Sequence, residues 1–451
     1  MITYSIIQKS QLEGANRLDA EYYQPKYLEA IALLNKINAE PLSTSLKDVR
    51  YGLYAEPNYQ SFGINFLRGL NLLDLDIGGE ILKIEEKVIP NTNYLLKEGD
   101  ILIARSGSVG AVGLIYKNLV RSTFGSYTIR IRVKELNPEF LYIFLKTKFG
   151  RFQVERLSTQ VAQPNINVPN LKILKIPIPP KDLQGQISQL VRKVHNNVLT
   201  SESFYYQAEQ TILDEVGFEK IDFNVKKPFM VNLLETKGDK RIDGEHFHTK
   251  FKNLREYLLK TKKAKFLKEL RTFIKRGFQP EYVESGEIIV INSQHLGRAL
   301  LNIEDTERTD RNFFEQNKRA QLKNKDILFY STGAYIGRTN IYLEEKEAIA
   351  SNHVTIIRTN KECDPVYLAV YLNSPLGLMQ SEQWASGSAQ REIYPDDIDK
   401  FLVYLPRPQF QQKIADLVRK SHEARKKAKQ LLEEAKREVE TSIETQSKGD
   451  D

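Results

Sequence analysis

The two halves of this 451-residue chain repeat each other, and that repeat limits the fold more than any figure of composition does. Arg17-Leu18-Asp19-Ala20-Glu21-Tyr22-Tyr23 returns as Arg241-Ile242-Asp243-Gly244-Glu245-His246-Phe247, 224 positions later. Gly99-Asp100-Ile101-Leu102 with Ser106-Gly107 returns as Lys325-Asp326-Ile327-Leu328 with Thr332-Gly333, at a spacing of 226. Ile187, Leu190-Val191-Arg192-Lys193 and His195 return as Ile414, Leu417-Val418-Arg419-Lys420 and His422, at 227. A spacing this steady implies a duplicated unit of about 225 residues, far too long for a solenoid repeat, so each copy is a domain plus a helix. Two such tandem copies are expected to pack about a pseudo-two-fold axis and to present two similar but non-identical surfaces.

The length allows two or three domains with full cores. A hydrophobic share of 41% and a charged share of 27% are those of a soluble globular protein. No run of eighteen apolar residues exists and the N-terminus lacks the shape of a signal peptide, so no membrane association and a cytoplasmic location are expected. Cys363 is the one cysteine, which excludes an intramolecular disulfide and fits a reducing compartment; with six histidines it leaves little material for a metal site. Charge is unevenly spread. Residues 1–100 carry 10 Lys+Arg against 14 Asp+Glu, whereas residues 101–200 carry 15 against 4. That basic block, with Arg105, Lys117, Arg121, Arg130, Arg132, Arg151 and Arg156 among Phe124, Tyr127 and Phe152, is the footprint of a surface that lies on phosphates, or else a solvated basic face. The Lys-Glu-rich run from Lys426 to Glu440 has mixed signs and suits an exposed helix face.

Each copy opens with a helical segment, near 20–37 and 244–260, and continues with a β-leaning stretch punctuated by Gly and Pro, Tyr51-Gly52 through Tyr59 and Arg276-Gly277 through Tyr282. An apolar strand ending in a Gly/Ser turn follows Asp100 and Asp326. Asn137-Pro138 and Asp364-Pro365 lead into amphipathic helices near 139–150 and 366–377, and turn-rich loops span Ser158–Asn170 and Ser386–Asp397. Pro177-Ile178-Pro179-Pro180 and Pro406-Arg407-Pro408 then start long helices. Leu183, Ile187, Leu190, Val194, Asn197, Ser201, Phe204 or Tyr205, Ala208 and Ile212 fall at alternating steps of three and four, as do Phe410, Ile414, Leu417, Ser421, Ala424, Ala428, Leu431 and Ala435. These heptad stripes favour a coiled coil, and two copies about a two-fold would make its helices antiparallel. A helix over residues 183–216 would be about 50 Å long.

The order of these motifs, stated twice, resembles the specificity subunit of type I restriction–modification systems, over essentially the whole chain. The matching residues are Asp100, Gly107, Ala162-Gln163 and Pro179-Pro180 in the first copy, and Asp326, Gly333, Gly387, Ala389-Gln390 and Pro406 in the second. One departure is visible: where the family often has Leu-x-Glu-Gln after its prolines, this chain reads Lys181-Asp182-Leu183-Gln184 and Pro408-Gln409-Phe410-Gln411. The resemblance implies an α/β (mixed α+β) protein with two target-recognition domains joined by two long antiparallel coiled-coil helices. It places recognition domains at 1–180 and 218–405, central helices at 181–217 and 406–445, and a disordered tail at 446–451. It also implies a non-catalytic chain in which each domain reads half of a bipartite asymmetric site on double-stranded DNA. The helices would set the gap and dock two methylation subunits, with two restriction/motor subunits able to join. No cofactor is expected on this chain; S-adenosylmethionine and ATP with magnesium belong to the partners. A helix longer than the 34–36 Å of one DNA turn is consistent with an unread gap between half-sites.

Two other functions compete with this one. A modification enzyme or nuclease would need an Asn/Asp-Pro-Pro-aromatic motif, a Gly-x-Gly-x-x-Gly or a phosphate loop, and none is present. Asn137-Pro138-Glu139-Phe140 lacks the second proline, Pro395-Asp396-Asp397 reads as a helix start, and His246-Phe247-His248 has no cysteine nearby to complete a metal site. A coiled-coil scaffold without a nucleic-acid role would show no binding that collapses with salt.

Reading bases requires Arg, Lys, Asn, Gln, Ser or Thr on protruding loops. The first copy offers Asn58, Tyr59, Arg68, Asn71, Arg105, Ser106, Ser108, Gln163 and Asn165; the second offers Gln279, Tyr282, Asn292, Gln294, Ser331, Tyr335, Arg338, Gln390 and Arg391. For each, the competing role is a loop-stabilising hydrogen bond. The loops Ser158–Asn170 and Ser386–Asp397 differ in nearly every residue, as two different half-sites require. Docking of methylation subunits is expected on outer helix faces at Gln184, Gln186, Arg192 and Lys193 and at Gln411, Lys413, Arg419 and Lys420, where a solvated exterior is the alternative.

Overall fold

Ile101-Leu102-Ile103-Ala104 and Ile327-Leu328-Phe329-Tyr330 are apolar at every position, the pattern of a strand covered on both faces. The computed structural model describes residues 4–10, 12, 17–54, 58–158, 164–224, 230–239, 241–303, 306–387 and 390–448. Packing groups the chain into two units: unit 1 is Met1–Leu199 with Ala424–Asp451, and unit 2 is Thr200–Glu423.

Unit 1 contains α1 (Pro25–Asn35), β1 (Ala39–Pro41), β2 (Leu46–Tyr51), β3 (Ile64–Leu67), β4 (Leu82–Ile84), β5 (Ile101–Ala104), β6 (Val112–Leu114), β7 (Thr123–Phe124) and β8 (Thr128–Val133). Helices α2 (Pro138–Lys146) and α3 (Lys148–Leu157), strand β9 (Lys175–Pro177) and the first part of α4 (Lys181–Val216) follow. The main sheet has the order β2-β8-β5-β6 and is antiparallel throughout. A second sheet, β4-β3-β7, includes the parallel pair β3–β7, and β1 pairs with β9. Side chains of β5 alternate as a pleated strand demands. Ile101 and Ile103 join Phe140, Phe144 and Phe149 in the main core, while Leu102 and Ala104 meet Leu67 and Phe124 on the other side.

Unit 2 repeats the plan with α5 (Thr249–Lys260), β10 (Ala264–Phe266), β11 (Arg271–Arg276), β12 (Ile288–Ile291), β13 (Arg308–Thr309), β14 (Asp326–Tyr330), β15 (Thr339–Tyr342), β16 (Ala348–Ala350) and β17 (Val354–Thr359). Then come α6 (Pro365–Asn373), α7 (Pro375–Trp384), β18 (Leu402–Tyr404) and the start of α8 (Pro408–Gln446). Its sheets, β11-β17-β14-β15, β13-β12-β16 and β10-β18, match those of unit 1 strand for strand. Each is thus a mixed α+β unit with the same internal topology.

The helices expected near 139–150 and 366–377 are each two helices. Asn137 and Asp364 cap α2 and α6, their side-chain oxygens accepting from the backbone N–H of Glu139 and Phe140 and of Val366 and Tyr367. Proline follows at the first helical position in both. The helix then stops at Thr147 and Ser374, both extended, with ψ of 164° and 166°. Ser374 precedes Pro375, whose ring disfavours a helical residue before it, and the Thr147 side chain caps α3 by accepting from Gly150 N.

Two paired acids and two glutamines recur inside the copies. Asp100 is gripped by Arg132 Nε and Nη2, both at 2.6 Å, and Asp326 by Arg358 Nε and Nη2, both at 2.7 Å. Each Asp also accepts from a backbone N–H three residues back, Lys97 and Lys323. Gln184 Oε1 accepts from Asn137 N at 3.0 Å, and Gln411 Oε1 from Asp364 N at 2.7 Å; the amides donate back to the Pro179 and Pro406 carbonyls at 3.0 Å. Both glutamines are buried, which corrects their expected place on an outer face: they tie a long-helix start to a cap. Truncating Gln411 to alanine strands these groups and is expected to cost about 1–3 kcal/mol, read as a lower thermal midpoint; an unchanged midpoint would contradict the tie.

The seam of α4 is Ile187, Val191, Val194 and Val198 in unit 1 and Ser201, Tyr205, Ala208 and Ile212 in unit 2. Compared with the expected stripe, Val191 and Val198 are in and the half-buried Leu183 and Asn197 are at its margin, because a helix that also covers a domain needs a broader apolar face than a two-stranded seam. Along α8 the buried set is Ile414, Val418 and Ser421 in unit 2 and Ala428, Leu432, Ala435 and Val439 in unit 1. In unit 2 the Ser201 and Ser421 hydroxyls meet at 3.0 Å and Lys420 lies over Phe204, so partner numbers fall as numbers rise: the two helices run antiparallel there.

Candidate nucleic-acid interface

In each unit, three chain segments are hydrogen-bonded together where the central strand leaves the main sheet. Beyond β5, Arg105 donates its N–H to the Tyr127 carbonyl at 2.9 Å and accepts from Ile166 N at 3.0 Å. Ser106 forms a β-bridge with Asn165. The Arg105 guanidinium donates to Asn165 Oδ1 at 3.2 Å and lies 4.8 Å from the centre of the Tyr51 ring. Unit 2 keeps the backbone pattern and exchanges the chemistry. Ser331 donates to the His353 carbonyl and accepts from Ile393 N, and Thr332 bridges Glu392. The cation now stands at the end of β11, where Tyr51 stands on β2: Arg276 bonds Glu392 and the Ile393 carbonyl and faces the Tyr394 ring at 4.6 Å.

Gly52 and Gly277 make this convergence sterically feasible. A Cβ on Gly52 would stand 2.2 Å from the Gly125 carbonyl oxygen, and one on Gly277 2.0 Å from that of Ala350. Leu53 and Phe278, the next residues, can therefore bridge in parallel to Gly125 and Ser351.

Among the candidates of unit 1, Arg105, Ser106 and Asn165 are brought together, with the exposed Ser108 on the same strand-exit turn. Gln163 and Ala162 lie outside the described residues. Arg68 and Tyr59 form a second group, the guanidinium 5.9 Å from the ring centre, and Asn58 is exposed beside them in sequence. Asn71 is fully buried: it accepts from Arg68 N and donates to the Gly78 and Glu80 carbonyls, so it holds its own loop, and its expected base-reading role is corrected. In unit 2, Gly333 N donates to the Arg391 carbonyl, which joins the loop of Ser331, Tyr335 and Arg338 to that of Gln390 and Arg391. Arg338 stacks 3.6 Å from the Tyr335 ring centre. Ser331 is fully buried against Thr355 and is likewise corrected to a structural residue. Asn292 and Gln294 both donate to the Glu307 carboxylate, at 2.9 and 3.0 Å, and Tyr282 donates to Asn292 Oδ1 at 3.2 Å. Gln279 and Gln390 are exposed.

On the long helices Gln186, Lys193 and Lys413 are exposed, Arg192 pairs with Glu139 at 3.4 Å, and Arg419 with Asp416 at 2.8 Å. Lys420, also exposed, lies 5.7 Å from the centre of the Phe204 ring.

The basic block of residues 101–200 is less free than its charge count implied. Arg130 is fully buried, bonded to Asp48 and the Asn93 carbonyl, and burial pushes its guanidinium down from the usual range. Arg132 pairs with Asp100, and Arg121 with Glu86 at 3.1 Å. Acids from residues 1–100 thus fold against these cations, a pairing invisible to a charge window. Cys363 is buried, and burial pushes its thiol up to about 12, so it is no nucleophile at neutral pH. His246 places Nδ1 2.9 Å from the Gln383 carbonyl and Nε2 3.0 Å from Asp239 Oδ2, while His248 Nδ1 accepts from Lys250 N. Among the described residues no group of three or more His, Cys, Asp or Glu is placed to hold a metal ion, and no helix is long and apolar enough to cross a membrane.

Arg276, Glu392 and Tyr394 are not among the sequence candidates, nor is the turn Gly125–Tyr127 or its counterpart Ser351–His353. A signal for the turns is available: both directly precede strands that share Ile131-Arg132 and Ile357-Arg358.

The family described as the type I restriction modification DNA specificity domain matches residues 54–203 and 233–437. Among solved structures the chain is similar to the S subunit of a type I restriction-modification system from M. genitalium, with 15% identity, 91% of this chain and 94% of that chain covered, and a TM-score of 0.38. It is also similar to the HsdS subunit from Thermoanaerobacter tengcongensis, with 14% identity, 91% and 95% coverage and a TM-score of 0.29.

Proposed function

The chain belongs to the type I restriction–modification DNA specificity family and carries two recognition domains, and from that premise we propose that each domain reads one half of a bipartite, asymmetric sequence on double-stranded DNA. The observation that carries this reading is divergence on a shared frame. Strand order, the Asp–Arg grip, the close-approach glycine and the strand-exit hydrogen bonds recur in both units. At the convergence the side chains differ: Arg105 against Ser331, Asn165 against Glu392, Tyr51 against Arg276 and Tyr127 against His353. A single scaffold with two chemistries suits two unlike half-sites. In this proposal the long helices set the gap, and their exposed Gln186, Lys193, Lys413 and Lys420 face two methylation subunits. Two restriction/motor subunits join that assembly. In this proposal S-adenosylmethionine and ATP with magnesium are bound by those partners, and this chain performs no covalent chemistry.

Titrating the full chain, with its methylation subunits, against duplex DNA at several salt concentrations tests DNA reading against a scaffold role. The logarithm of affinity is expected to fall linearly with the logarithm of salt, by about 0.9 for each phosphate contacted; affinity indifferent to salt would favour the scaffold. Arg338→Ala is expected to weaken reading of one half-site only, and equal loss at both halves would contradict its placement.

A further inference from the structure

We propose that the turn side chains Tyr127 and His353 are specificity-determining residues, each contacting one base pair of the half-site read by its own domain. This deepens the reading of the two domains as DNA-recognition modules and rests on it. The two residues occupy the same place in their units. The Tyr127 carbonyl accepts from Arg105 N at 2.9 Å, and the His353 carbonyl from Ser331 N at 3.0 Å. The turns themselves are held from several sides. Gly125 N donates to the Leu67 carbonyl and Ser351 N to that of Ile291, anchoring each to the smaller sheet. Thr128 N closes the turn on the Gly125 carbonyl and Val354 N on that of Ser351. Gly52 and Gly277 press against the opposite flank at a separation that admits no side chain.

A backbone bound on this many sides carries a side chain that reaches solvent: Tyr127 is 67% exposed, and His353 is half-buried. A large aromatic side chain in water is no help to stability, and here its backbone is bonded to Arg105, whose guanidinium reaches Asn165 at the same strand exit. Rigid placement lowers the ordering cost of contact with a base pair. The phenol offers a ring and one hydroxyl, the imidazole two ring nitrogens, so equivalent positions present different hydrogen-bonding patterns to base edges. In unit 2 the neighbouring Asn352 adds a buried Oδ1 with no hydrogen-bond partner among the described residues, an acceptor still unmet at the base of that turn.

The test is to express the full chain with its methylation subunit in a methylation-free host and map N6-methyladenine for wild type, Tyr127→Ala, Tyr127→Phe and His353→Ala. Tyr127→Ala is expected to relax preference at one base pair of one half-site by about tenfold or more, with the other half unchanged, and His353→Ala to do the same in the opposite half. Tyr127→Phe separates the ring from the hydroxyl, keeping the preference if the ring makes the contact. Unchanged base preference in both alanine variants overturns the proposal. So does a loss spread over both halves together with a lowered thermal midpoint, which would mark the side chains as structural. Wild type that methylates no bipartite site would instead overturn the recognition reading on which the proposal rests.

Discussion

Replacing Asp326 with alanine is expected to cost unit 2 about 3–5 kcal/mol, the penalty for leaving a buried charge without its partner. Asp326 is 2% exposed, and its two oxygens take both Arg358 contacts and the Lys323 N–H. Arg358 is mostly covered and would lose its only carboxylate partner among the described residues. The turn before Asp326 would suffer too, since Lys325 is a non-glycine residue at φ 68°, where unit 1 has Gly99 at φ 83°. A left-handed lysine persists because its surroundings impose it, and the Asp326–Lys323 bond is part of that imposition. For a unit of this size the cost corresponds to a fall on the order of 10 °C in midpoint. Asp326→Asn, which keeps an acceptor, should lose less. A change under about 1 kcal/mol for alanine would mean the pair is solvated and worth no more than a surface bridge.

Gly277→Ala should be nearly as damaging, although it adds one methyl group. The new Cβ would lie 2.0 Å from the Ala350 carbonyl oxygen and 2.5 Å from that of Ser351. Neither neighbour is a flexible side-chain tip, so β11 or the Ser351–His353 turn must shift and break the Gly277–Val354 and Phe278–Ala350 hydrogen bonds. An overpacked position costs typically about 1–3 kcal/mol; backbone atoms on the contact put Gly277→Ala at the upper end, and Gly52→Ala should cost the same in unit 1. Gly185→Ala is the control: it is exposed within α4 with nothing near its added Cβ, and relief of backbone entropy should stabilise the helix by about 0.5–1 kcal/mol. Equal midpoints for Gly277→Ala and Gly185→Ala in thermal unfolding would refute the close approach.

The repeat was the part of the fold that could be read most directly. A spacing of 224 to 227 carries through to strands, since β2 and β11, β5 and β14, and β8 and β17 pair alike. Pro138 and Pro365 marked helix starts correctly because capping is local physics. Roles that depend on where a side chain points in three dimensions were not readable. Gln184 and Gln411 have the polarity of surface residues, and only the folded chain shows each turned inward to a cap 47 residues away. Asn71 and Ser331 lie on loops, yet their partners are the loop's own backbone and a neighbouring strand. The basic block misled for a related reason: Arg130 finds Asp48 from 82 positions away. At the candidate interface, residue type on matched loops made Arg105, Asn165, Tyr335 and Arg338 candidates, and the fold brings them together in pairs, whereas Tyr127 was read only as part of the basic block, because an aromatic residue in a short turn reads the same whether it packs or projects.

The measurement that bears most directly on the central claim is a genome-wide map of N6-methyladenine after the full chain and its methylation subunit are expressed together in a methylation-free host. Two recognition domains with different side chains on one frame predict a single motif made of two unlike half-sites, separated by an unspecified gap and methylated on both strands. A palindromic or uninterrupted motif, or a stable complex that adds no methyl group anywhere, would contradict it.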